Sequence, residues 1–198
     1  APPAARSAPV VERLIAAGAV IVGRTNMTEF AFSGLGLNPH YGTPANPWQR
    51  AERRIPGGSS SGAAVSVSDG LAAVAIGSDT GGSVRIPSAL CGLTGFKPTQ
   101  RRVPTAGALP LSTSLDSIGP LGASVRCCAL TDAVLAGQSL LPLPARPLRD
   151  ARLALPDTLV FDDLEPAGAA AFERACARLQ AGGARLQRIV VPEFAELG

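Results

Sequence analysis

Two glycine- and serine-rich segments, Pro56-Gly57-Gly58-Ser59-Ser60-Ser61-Gly62 and Gly77-Ser78-Asp79-Thr80-Gly81-Gly82-Ser83, constrain this chain more than any other feature. Each demands a tight, exposed turn of backbone. The residues between them leave room for one helix and one strand. Ser61 to Ser68 reads as a helix ended by Gly70, and the unbroken apolar run Leu71 to Ile76 reads as a central strand. Each segment also sets a hydroxyl beside backbone N–H groups, which is what acyl transfer needs for a nucleophile and its oxyanion donors. The usual base for such a serine is scarce, because the chain holds one histidine, His40, and one lysine, Lys97.

The flanking sequence sets the fold class. Val10, Val11, Leu14, Ile15 and Ala17 share the apolar side of a short helix, Gly18 stands where a left-handed C′ residue ends it, and Ala19 to Gly23 reads as a buried strand. Residues 24–56 show no periodicity and carry Gly34, Gly36, Pro39, Gly42, Pro44 and Pro47, so they form loops of the kind that line sites. Ile86 to Leu93 begins a further helix or turn, residues 103–123 read as ordered loop, and Ala129 to Gly137 looks helical. The prolines at 142, 144 and 147 mark 141–148 as a linker. Beyond it, strand 152–155, helix 166–181 and strand 186–191 form a βαβ unit with parallel pairing. The expected class is therefore α/β, with a mixed, largely parallel central sheet flanked by helices.

Composition excludes several functions. At 198 residues with 46% hydrophobic and 17% charged residues, the chain can bury a substantial core and is not disordered. A net charge of +3 is small, and neither basic cluster (Arg50, Arg53, Arg54; Arg101, Arg102) has interleaved aromatics, so no nucleic-acid partner is expected. No apolar run approaches the roughly 18 residues that span a bilayer, and Glu12 and Arg13 interrupt any signal-peptide core. Cys91, Cys127, Cys128 and Cys176 lack metal-ligand spacing, so neither a metal nor another cofactor is expected, and reduced thiols point to the cytoplasm. Neither serine segment matches G-x-x-x-x-G-K-[ST] or G-x-G-x-x-G, and Lys97 is misplaced for a phosphate loop. These residues alone leave two readings open, a hydrolytic centre or two structural turns.

The segments PGGSSSGAAVSV and GSDTGGSVRIPSALCGLTGFKPT, with GRTNMTEFAFSGLG before them and Asn46-Pro47-Trp48, resemble the signature region of the amidase signature family. The resemblance covers roughly residues 8–125. It implies a Ser–cis-Ser–Lys centre, with Ser83 as nucleophile, Ser59 as bridging serine after a cis Gly58–Ser59 peptide, and the backbone N–H groups of Thr80, Gly81, Gly82 and Ser83 as oxyanion hole. Ala31 and Phe32 fall where the family places substrate-facing residues. Arg85 either binds a substrate carboxylate or pairs with Asp79 to brace the loop. The family's catalytic lysine lies far upstream of the bridging serine, and Lys97 aligns elsewhere. The chain is thus expected to be an internal part of one amidase signature domain, truncated at both ends and inactive alone. The implied function is hydrolysis of a small-molecule carboxamide through an acyl-enzyme on Ser83, with a homo-oligomer compatible. One alternative is the amidase-type subunit of the glutamyl-tRNA or aspartyl-tRNA amidotransferase, which needs partner subunits. The other is an inactive truncated binding module.

Overall fold

A computed structural model of the chain describes residues 5–140, 144, 146–157 and 159–196. The chain divides into two compact units, Ala1–Leu141 and Pro142–Gly198. Of the expected linker 141–148, residues 141–143 and 145 lie outside the described residues.

In the first unit, helix α1 (Pro9–Ala16) begins with proline, whose fixed φ suits a first turn. It buries Val10 and Leu14, one turn apart. Gly18, at φ +89°, donates to Ile15 O and Ala19 donates to Leu14 O, so a left-handed C′ glycine closes the helix as expected. The expected strand after it does not form. Val20 and Val22 are 83% and 73% exposed, and no described strand pairs with them. An extended apolar run becomes a strand only when a neighbour takes up its backbone groups.

Helix α2 (Ser61–Ser68) has the expected bounds. Its small side chains bury it on nearly every side, and Ala63, Ala64 and Val65 form a core with Val84, Cys91 and Leu121. Strand β1 (Val74–Asp79) starts later and ends later than the apolar run suggested, because its ladder with β3 (Ser117–Gly122) runs from Val74↔Gly122 to Asp79↔Ser117. Gly77, Ser78 and Asp79 are therefore strand, not loop. Helix α3 (Arg85–Leu90) and the short strand β2 (Thr94–Gly95) follow.

The central strand is β3, in the order β1-β3-β2, and β1 is at an edge. Residues 103–123 thus hold an unexpected strand, Ser-Ile-Gly-Pro-Leu-Gly, disguised by its glycines and proline. A methyl group on Gly119 would collide with Phe96 O. Pro120 accepts a bond from Phe96 N–H at 3.1 Å but has no N–H to return, so the β2–β3 ladder is confined to Thr94↔Gly122 and Gly95↔Leu121.

The mixed α/β class holds, but this three-stranded sheet is antiparallel between neighbours rather than largely parallel. Strands β1 and β2, on either side of α3, do run parallel to each other, and β3 lies between them in the opposite sense. A helix between two strands aligns them without making them adjacent.

Helix α4 (Val125–Ala136) starts earlier than expected, capped by Ser124, whose hydroxyl accepts from Cys127 N–H. Its Leu135 joins Val10, Leu14, Val103 and Ile118 in a second core. In the second unit, β4 (Arg152–Pro156), α5 (Pro166–Ala181) and β5 (Arg185–Ile189) form the expected parallel βαβ unit. All four cysteines are free thiols. Among the described residues, no helix is long and apolar enough to cross a membrane.

Candidate active site

Both serine segments sit at the ends of α2 and β1, and the packing between them is close. Ser60 N–H donates to Ser83 O at 3.1 Å, joining one segment to the other. An added methyl group on Gly77 would run into Ser60 Oγ. The Gly58–Ser59 peptide is cis. Ser59 O accepts from Thr28 N–H at 3.0 Å and from Ser61 N–H at 2.8 Å, the latter across Ser60 at φ −76°, ψ 49°, close to an inverse γ-turn. Gly62 N–H donates to Asn26 O at 2.9 Å, so the 26–28 stretch is stitched to the start of α2. The side chains of Ser59 and Ser61 are fully buried and Thr28 nearly so. Their hydroxyl oxygens have no hydrogen-bond partner among the described residues.

Asp79, the last residue of β1, shapes the second segment. Its carboxylate is fully buried. It accepts from Val84 N–H at 3.0 Å, Arg85 N–H at 3.2 Å, and Arg85 Nε and Nη2 at 3.0 and 2.9 Å. Burial pushes its pKa up, but the Arg85 guanidinium and the two backbone N–H groups outweigh it and hold the carboxyl below the ordinary value. Residues 80–83 therefore close as a loop around a fixed anion. Gly82, at φ +143°, takes a backbone conformation that favours glycine. Ser83 is half-buried, and the N–H groups of Gly81, Gly82 and Ser83 make no hydrogen bond among the described residues.

Thr80 and Lys97 tie this loop to the segment before β3. Thr80 Oγ1 donates to Asp116 Oδ1 at 2.5 Å. Lys97 Nζ donates to Asp79 O and Leu115 O, each at 2.6 Å, and to Ser117 Oγ at 3.0 Å. These three bonds hold the Lys97 nitrogen away from Ser59 and Ser83, neither of which it contacts. Lys97 is a clamp at the end of the β1–β3 ladder.

Of the residues expected to face substrate, Phe32 is exposed and Ala31 half-buried, on and just after a short 3-10 turn, Glu29–Ala31. Phe30 and Ala31 have φ of 52° and 59°, left-handed values uncommon for non-glycine residues. The turn is linked to Ser59 through Thr28. Arg85 braces Asp79, which is the second of its two expected roles. His40 lies on the surface, 3.4 Å from Glu29. A cavity of about 240 Å³ borders Asn26, Met27, Ser60, Gly77 and Ser78, but neither Ser59 nor Ser83. No group of three His, Cys, Asp or Glu side chains suited to a metal ion occurs among the described residues. Sequence reasoning missed Asp116 and Thr28. Asp116 could have been singled out only by placing β3, which fixes the residue before Ser117 opposite the end of β1.

Over residues 1–197 the chain matches the model of a family described as Amidase. It is 46% identical over 191 residues to the 2-amino-5-chloromuconic acid deaminase of Comamonas testosteroni, covering 95% of this chain and 41% of that protein. It is 43% identical over 190 residues to the indoleacetamide hydrolase of Allorhizobium ampelinum, covering 96% and 40%. The crystal structure of a glutamyl-tRNA(Gln) amidotransferase subunit from Thermotoga maritima superposes with a TM-score of 0.84 at 33% identity, covering 96% of this chain and 44% of that one. The chain therefore spans 40–41% of the length of the two curated relatives.

Proposed function

From the premise that this chain belongs to the amidase family, we propose that it carries the nucleophile, the bridging serine and the oxyanion donors of a serine amidase acting on a small-molecule carboxamide. Ser83 Oγ attacks the amide carbonyl carbon, and its proton passes to Ser59 Oγ as Ser59 yields its own to a base. The oxyanion takes hydrogen bonds from the N–H groups of residues 80–83, each worth about 2.7–4 kcal/mol in such sites. The tetrahedral adduct collapses, the C–N bond breaks, and the leaving amine takes a proton from Ser59. Water then hydrolyses the ester on Ser83 to a carboxylate. The reading assigns the base to a lysine outside these 198 residues, since Lys97 Nζ is bonded to Asp79 O, Leu115 O and Ser117 Oγ and to neither Ser59 nor Ser83. The free thiols fit a cytoplasmic enzyme.

The observation that carries this reading is the bond from Ser60 N–H to Ser83 O beside a run of unengaged N–H groups at residues 81–83. It ties the two hydroxyl-bearing turns together where oxyanion donors remain free. A small-molecule substrate is favoured over the full span of the chain, where the two relatives named for one are 43–46% identical against 38–39% for glutamyl-tRNA(Gln) amidotransferase subunits, while over 130–131 residues two such subunits reach 49%.

The test is Ser83→Ala in the whole protein, assayed over a panel of carboxamides. Turnover falls by at least about 10³-fold, and a fluorophosphonate probe no longer adds to the protein. Retained turnover removes Ser83 from its role. The 198-residue chain alone hydrolyses no amide, and robust turnover by it would place the base inside these residues. Purification in a stoichiometric complex that takes ammonia from glutamine would establish the amidotransferase alternative.

A further inference from the structure

We propose that Asp116 is a positioning residue for the oxyanion donors. Through Thr80 it fixes the direction in which the following N–H groups point, without touching substrate. The inference rests on the reading of Ser83 and its neighbouring amides as the reacting centre.

The β1–β3 ladder ends at Asp79↔Ser117, so no strand pairing holds residues 80–83. Backbone bonds from Ser60 N–H to Ser83 O and from Ile86 N–H to Gly82 O hold the far end of this segment, and two side-chain devices add to them. Downstream, the Asp79 carboxylate holds Val84 and Arg85. Upstream, the hydrogen bond from Thr80 Oγ1 to Asp116 is the one side-chain bond that Thr80 makes among the described residues.

Asp116 is itself anchored. Its Oδ2 accepts from Leu111 N–H at 2.9 Å and Ser112 N–H at 3.0 Å, and its own N–H donates to Ser112 O at 3.0 Å. Lys97 then ties Leu115 O to Asp79 O. Residues 79–80 and 115–117 are thus cross-linked by one cation and one anion at the same strand end. Partial burial pushes the Asp116 carboxyl up, but the bonds from Thr80, Leu111 and Ser112 and the Lys97 charge pull it below the ordinary value. It is therefore ionised at neutral pH, and a bond to a charged acceptor is roughly twice as strong as a neutral one. Displacement of reacting groups by about 1 Å can cost about 100-fold in rate, so a loosened Thr80 has a measurable effect.

The experiment measures amide hydrolysis by the whole protein in Thr80→Val, Thr80→Ser, Asp116→Asn and Thr80→Val/Asp116→Asn, with Ser83→Ala alongside. Thr80→Val breaks the bond while leaving Asp116 on Leu111 and Ser112, so it does not depend on Asp116 variants folding. Thr80→Val and Asp116→Asn are each expected to lower kcat about 10- to 100-fold, with KM changed less than about threefold. Thr80→Ser restores kcat, and the double variant is no worse than either single, the signature of one shared interaction. A kcat within about twofold of wild type in Thr80→Val, or losses that simply add in the double variant, overturns the proposal. Activity that survives Ser83→Ala overturns instead the reading on which it rests.

Discussion

Replacing Asp79 by asparagine tests the physical account of the 80–83 loop directly. The native carboxylate accepts four hydrogen bonds, from Val84 N–H, Arg85 N–H, Arg85 Nε and Arg85 Nη2. Asparagine keeps one oxygen, which can stay with the three donors on Oδ2, but its NH2 then faces the fourth donor, Arg85 Nη2. One bond is lost outright, and those from Val84 N–H and Arg85 N–H fall from a charged to a neutral acceptor, a change of about 1 kcal/mol each. Arg85 is half exposed and regains water, which offsets part of the loss. The expected net cost is about 2–4 kcal/mol, at or below the usual penalty for removing one partner of a buried pair.

In urea unfolding of the whole protein, with the slope m unchanged at about 3 kcal/mol/M or more for a chain of that size, that cost lowers the midpoint by several tenths of a molar to about 1 M. The pH dependence carries a definite sign. The folded pKa of Asp79 lies below its unfolded value of about 3.9. Its stabilisation is therefore complete above that value and is lost as pH falls through the folded value. The gap between wild type and Asp79→Asn should be full at pH 7, narrow below about pH 4, and close in stronger acid. A gap below about 1 kcal/mol at pH 7, or one that persists undiminished into acid, would refute the reasoning.

Two further outcomes follow from the packing. In Gly62→Ala the new methyl carbon would lie 2.6 Å from Asn26 N and 2.7 Å from Asn26 O, both backbone atoms. The usual helix gain of roughly 0.5–1 kcal/mol for alanine over glycine should reverse to a loss of about 1–3 kcal/mol, and a urea midpoint at or above wild type would contradict this. Cys91 is 5% exposed, with its thiol pushed up to about 11, chiefly by burial and secondarily by the Asp69 charge. Native-state iodoacetamide treatment at mild alkaline pH should leave its peptide unmodified by mass spectrometry until urea is added. Modification at the rate of an exposed thiol would contradict the burial.

How much was legible depended on whether a signal was local. Helices Ser61–Ser68 and Pro166–Ala181 matched their expected bounds because small side chains, a first-turn proline at Pro166 and the positive-φ glycines Gly70 and Gly183 just beyond their ends are all local signals. The serine segments were legible for the same reason. The strand at Ser117–Gly122 was hidden because its glycine and proline answer to Phe96, distant in sequence. Val20 to Val22 misled in the opposite way, by offering strand composition without a described neighbour. Within the candidate site, Ser59 and Ser83 were singled out by their resemblance to a family motif. Asp116 and the clamp at Lys97 depend on the register Asp79↔Ser117, which local spacing does not encode.

The contact between Gly77 and Ser60 bears on how this centre can diversify. Any side chain at 77 meets both Ser60 and, at 2.9 Å, Val84 Cγ2, so variation at 77 is accessible only after positions 60 and 84 have made room. The reverse order passes through a clash. Libraries that randomise position 77 alone will therefore report it as intolerant, and recovery requires smaller residues at both 60 and 84. Lineages that have altered one turn should carry a matched change in the other.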